Sequence, residues 1–178
     1  MRRFLAGYQR FLAGIERGEV ALVQGLLAIM VLAIFAQVVS RYAFGRPLVW
    51  VEELSTYAFI WGTFIGASVG LKRARHIRIQ SFLHRLPPQG RWTLLLFTHL
   101  AIGVFCIFLI MNGARAMLLF EWHQRTIALP VVLPRYLFFS GPLMLGAASM
   151  VLTVGYEVLR LLVRPREVNR LRGRAEPA

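Results

Sequence analysis

Glu52 and Glu53 stand side by side directly after Trp50-Val51, and paired carboxylates invite cation binding, ion pairing or partner docking. A cation site is disfavoured, because adjacent residues of a helix point in different directions and no further carboxylate sits at that depth. The simplest structural role is electrostatic, since acidic residues at a helix N-terminus are favoured by the macrodipole. With Arg41 or Arg46 nearby, the pair is also suited to an ion network or a docking edge at the membrane surface. Arg41, Tyr42, Trp50, Glu52 and Glu53 are therefore the candidate docking residues.

Catalytic chemistry finds little support. The chain has no Asp, none of its 8 acidic residues lies inside a charge-free apolar run, and there is neither a Cys-x-x-Cys pair nor a His-Glu-x-x-His helix. Ser55, Ser68, Ser140 and Ser149 have only His99 as a general base inside the apolar runs. A haem held by two histidines would need a partner facing His99, yet His76, His84 and His123 lie in connections. His99 is expected to hydrogen-bond toward a neighbouring helix, and Cys106 to serve helix packing. The expectation is a non-enzyme with no catalytic residue, no cofactor and no metal site.

A more specific pattern is Ala58, Gly62, Gly66 and Gly70, recurring every four residues. Small residues at that spacing form a flat stripe along a helix, which lets another backbone approach closely. The stripe is equally suited to a helix of this chain and to one of another subunit.

These residues need helices to position them, and composition says where. At 57% hydrophobic content and mean hydropathy +0.59, the 178 residues are too apolar for a soluble domain. A formal charge of +13 would fit nucleic acid, but the basic residues sit between long apolar runs, so membrane topology accounts for them and no nucleic-acid partner is expected. Four stretches lack Asp, Glu, Lys and Arg: about 20–40, 54–71, 92–114 and 136–156. Each approaches the roughly 20 residues that cross about 30 Å of hydrocarbon as a helix. The fold class is an all-α membrane protein: four transmembrane helices with short interfacial amphipathic segments. The third is free to extend to Phe120.

Three segments on one side carry sixteen of the 21 Lys and Arg: the N-terminus, Lys72–Arg91 and the part after Tyr156. Basic residues resist translocation, so this side is expected to be cytoplasmic. The organisation expected is a basic N-terminus over 1–19, a four-helix domain over 20–163 and an arginine-rich tail over 164–178, with both termini inside. The basic clusters also fit anionic lipid headgroups. The outer connection from Arg41 to Glu53 reads as an interfacial segment with a short helix beginning near Pro47. HIRIQSFLHRLPPQGR in the inner connection reads as a second surface-lying element, and Glu121–Arg135, with Pro130 and Pro134, as an irregular turn.

Taken in order, Arg41-Tyr42, Pro47-Leu48, Trp50, Glu52-Glu53-Leu54, Trp61, Phe64, Gly66-Ala67 and His76-Ile77 form a recognisable series, continued by Thr126, Ala128-Leu129 and Pro130. The chain resembles the small permease subunit of tripartite ATP-independent periplasmic (TRAP) transporters, the DctQ-type family, over most of the four-span region. The resemblance implies a bacterial inner-membrane subunit that braces a much larger permease subunit. That partner would carry the sodium and substrate sites, while a periplasmic binding protein delivers an organic acid such as a C4-dicarboxylate or a sialic acid. The rival class is a free-standing homo-oligomeric carrier or lipid-binding scaffold. A carrier would place polar groups near the midplane, where the spans offer only His99, Gln37, Asn112 and hydroxyls.

Overall fold

The computed structural model describes residues 2–74, 88–130 and 132–163. Most of the inner surface-lying element and the whole arginine-rich tail lie outside the described residues. Among the described residues four long helices form the fold: α1 (Arg2–Phe44), α2 (Val49–Ala74), α3 (Pro88–Ala116) and α4 (Ser140–Val163). All four contain stretches long and apolar enough to cross a membrane.

The helices are arranged as a row. Among the described residues, α2 packs between α1 and α4, and α3 packs on the far side of α4. An open row leaves broad apolar faces uncovered: Leu27, Leu32, Phe35, Phe97, Val104 and Phe108 are all exposed. In a membrane such faces meet lipid or another subunit, because lipid tails solvate them as well as a protein core would.

Helix α1 runs without interruption through the expected basic N-terminus and the first span. Its 43 residues would extend about 64 Å, twice the hydrocarbon thickness. The excess crosses α4 obliquely. Tyr8 donates its hydroxyl to the Leu152 carbonyl at 2.8 Å, while Ser149 donates to Glu19 at 2.5 Å. The two contacts are thus separated by about 16 Å along α1 but only about 5 Å along α4. Leu5 and Leu12 are buried there with Tyr156, and Tyr8 meets that ring edge-on at 5.5 Å.

The connection between α1 and α2 contains no separate interfacial helix. Gly45 at φ +65° reverses the chain immediately after α1, as a left-handed residue after a helix C-terminus does. Ser40 donates its hydroxyl to the Arg46 carbonyl at 2.6 Å and accounts for one more polar group of the turn. Pro47 precedes α2, and Trp50 falls in its first turn, so the expected short helix is the start of α2 itself.

Past Ala116, α3 continues as a π-helical turn over Met117–Glu121, in which Trp122 N–H donates to the Met117 carbonyl at 3.0 Å. The following connection is more ordered than an irregular turn. Arg125 and Pro134 form an isolated antiparallel bridge, and a short 3-10 turn at Arg135–Leu137 leads into α4. Glu121 accepts the Ser140 N–H at 3.2 Å, supplying a carboxylate to the start of α4.

Candidate functional site

The polar side chains gather at the two ends of α2. At its N-terminal end, the half-buried Glu53 carboxylate accepts three successive backbone N–H groups from the connection between α3 and α4: Ile127 at 3.1 Å, Ala128 at 2.6 Å and Leu129 at 2.8 Å. Three converging N–H groups make a concave anion site, and here the anion is part of the chain. Tyr57, one turn further along α2, donates its hydroxyl to the same carboxylate. Its ring stacks on Phe138 at 4.0 Å and meets Phe139 edge-on.

The loop is closed on itself as well. Thr126 N–H donates to the Leu133 carbonyl at 2.9 Å, and Leu133 N–H returns to the Thr126 hydroxyl at 3.1 Å. Arg135 donates to Gln124 at 2.7 Å, and Trp61 on α2 donates its indole N–H to the Leu137 carbonyl at 3.1 Å. Glu53 and Ile127 to Leu129, widely separated in sequence, are thus two halves of one clamp.

At the C-terminal end of α2, Lys72 is 1% exposed and donates to Glu19 of α1 at 2.6 Å and to Ser149 of α4 at 2.7 Å. Ser149 and Ser68, the latter at 3.1 Å, both donate to the other oxygen of Glu19. A buried charge inside a membrane bundle is tolerated when paired and hydrogen-bonded, as here. This network joins three helices at one depth. Lys72 is therefore a bundle residue, and the counting of basic flanks that assigned it to the connection is corrected for this one position.

The expected docking residues are distributed over the same end as the Glu53 clamp. Arg41 and Tyr42 are exposed, Tyr42 at 81%, and Trp50 is partly exposed on the first turn of α2. Glu52 is exposed and accepts from Gln37 of α1 at 3.3 Å. Glu53 alone among them is engaged by the chain's own loop.

In the small-residue stripe, Ala58 is buried, but a Cβ added at Gly62, Gly66 or Gly70 would meet nothing within 4 Å. No described helix of this chain packs against those glycines. The close helix approach inside the chain occurs instead at Gly146 of α4, where an added Cβ would lie 2.6 Å from the Phe64 carbonyl oxygen of α2. His99, expected to turn toward a neighbouring helix, pairs with the Leu95 carbonyl of its own helix at 2.6 Å, because the i−4 carbonyl is already within reach. Cys106 is buried 3.7 Å from the Met150 sulfur, in the contact between α3 and α4.

The fold and these clamps define a multi-pass, all-α membrane protein whose polar groups tie its own helices and loops together. Residues 30–164 match the family described as tripartite ATP-independent periplasmic transporters, DctQ component, and the chain belongs to that family. A Haemophilus influenzae protein assigned as a TRAP transporter small permease is 34% identical over 89 residues, covering 50% of this chain and 55% of that one. The sialic acid TRAP transporter small permease SiaQ of Vibrio cholerae is 28% identical over 100 residues, covering 56% and 54%. The sialic acid TRAP transporter permease SiaT of another Haemophilus influenzae strain is 34% identical over 89 residues, covering 49% of this chain but only 14% of its own length. The matched stretch thus spans about half the length of the small permeases. Family and spans together assign the chain to the inner membrane as a multi-pass transporter subunit, which is not an enzyme class.

Proposed function

We propose that this chain is the small membrane subunit of a TRAP transporter, bracing a large permease subunit during sodium-driven uptake of an organic acid delivered by a periplasmic binding protein. The observation that carries the reading is the state of α2. It is fastened at one end to the loop before α4 and at the other to α1 and α4, while its Gly62, Gly66 and Gly70 stripe is left open. A helix held rigid by its neighbours and flat on its free side suits close contact with a helix of another subunit.

Two comparisons support this. In the longer SiaT permease, a segment similar to this chain makes up 14% of the protein, which fits a small unit working alongside a larger one. The relatives also bear different cargo names: sialic acid for SiaQ, C4-dicarboxylate for DctQ of Vibrio cholerae and ectoine for TeaB of Halomonas elongata. Similar small subunits under different cargoes fit selection by other polypeptides. In this reading the basic residues of the three flanks, Lys72 apart, face the cytoplasm, and Arg41, Tyr42, Trp50 and Glu52 form the periplasmic docking edge beside the Glu53 clamp.

Co-purification tests the proposal. The chain should be recovered in mild detergent together with a co-expressed large TRAP permease subunit, and Gly66→Leu should abolish that recovery. Recovery of the chain only as a homo-oligomer would favour the free-standing carrier instead.

A further inference from the structure

Beside the Lys72 network, an open cleft of about 320 Å³ runs along α1 and is bounded by Arg73 of α2, and none of the contacts described above uses it. Its polar lining comes from Glu16, Arg17 and Gln24 of α1 and Arg73 of α2, and its apolar lining includes Val20 and Ala21. Arg17 and Arg73 flank charge-free runs that begin at Val20 and end at Leu71, so the cleft straddles the boundary between the apolar spans and their basic flanks. Phospholipid phosphates lie at that depth. Arg73 donates to Glu16 at 3.4 Å while its side chain stays 60% exposed, so much of its guanidinium is open to a ligand, and the cleft lining as a whole carries two guanidiniums and one carboxylate. The chemistry is ordered along the helix as in a lipid molecule. Arg17 and Arg73, with Glu16, lie at the membrane-surface end, the Gln24 amide follows about two turns further along α1, and the uncovered apolar face of α1 through Leu27, Val31 and Phe35 continues toward the membrane interior.

We infer that this cleft is a binding site for one anionic phospholipid, its phosphate held between Arg17 and Arg73 and its acyl chains lying along α1. Planar guanidiniums hold phosphate oxygens in paired, charge-assisted hydrogen bonds. Basic clefts between spans at the membrane surface are suited to anionic headgroups. The inference needs only that the chain is in a membrane, and it stands whether or not the subunit braces a permease.

Native mass spectrometry of the delipidated full chain, titrated separately with phosphatidylglycerol and phosphatidylcholine, tests it. One phosphatidylglycerol should bind roughly ten-fold or more tightly than the next, with no such step for phosphatidylcholine. Arg17→Gln with Arg73→Gln should remove that step, and Arg10→Gln with Arg46→Gln should leave it intact. Ala21→Trp, which fills the cleft and keeps both charges, should also remove it, separating the site from general basicity. An equal loss in the Arg10/Arg46 variant, retention in Ala21→Trp, or displacement of the lipid by millimolar inorganic phosphate would overturn the inference.

Discussion

Glu53 accepts the N–H of Ala128 at 2.6 Å, fastening the first turn of α2 to a residue 75 positions further along the chain. The bond is one of three from consecutive residues, so one carboxylate holds this stretch of the loop against α2. Glu53→Ala should cost about 2 kcal/mol in folding stability, with part of the loss offset by water reaching the freed N–H groups. Hydrogen exchange should then accelerate at the amides of Ile127, Ala128 and Leu129. Glu52→Ala should leave those amides protected, since Glu52 contacts Gln37 instead.

The Lys72 network makes a sharper energetic statement. Removing one partner of a buried ion pair leaves the other charge uncompensated, so Lys72→Met or Glu19→Met alone should each cost about 3–5 kcal/mol. Replacing both by Met should cost much less than the sum of the single changes. Thermal unfolding in detergent across this double-mutant cycle provides the check. Strictly additive losses would mean that the two residues act independently.

Two glycines separate packing inside the chain from packing between chains. Gly146→Leu should destabilise the isolated chain severely, because an added Cβ would already lie 2.6 Å from a backbone oxygen of α2. Gly66→Leu should leave the melting temperature of the isolated chain unchanged while eliminating recovery of the permease complex. If Gly66→Leu lost neither, its face would be turned to lipid.

The basic asymmetry, with sixteen of 21 Lys and Arg on one side, remains an orientation argument even with Lys72 withdrawn into the bundle. Alkaline phosphatase fused after Arg125 should be active, and after Arg91 inactive. The reverse pattern would invert the chain in the membrane.

The four spans were legible because charge-free runs near 20 residues admit one interpretation in a membrane. The clamps were legible only in part. Glu53 and Ala128 could be singled out separately, but a contact between them depends on how the loop folds back, which no periodicity encodes. The Lys72 network did carry a signal. Glu19 precedes the first charge-free run and Lys72 follows the second, so two antiparallel spans of similar length place them at one depth. Treating both as flank charges concealed it. The glycine stripe marked a flat face of α2, whereas the close approach within the chain falls at Gly146, which opens a short run of small residues with no four-residue repeat to mark it.

A subunit that braces the permease, as proposed, is required for transport without selecting what is carried. Sodium-dependent uptake should be measured in proteoliposomes holding the large permease, with cargo-loaded binding protein outside, in the presence and absence of this chain. Uptake should vanish without the chain, return when it is co-reconstituted, and keep the same order of preference among organic acids when Glu52 and Glu53 are both changed to Ala. Uptake by the small chain alone, or a changed preference in that variant, would contradict the bracing role and assign the chain a direct part in carrying substrate.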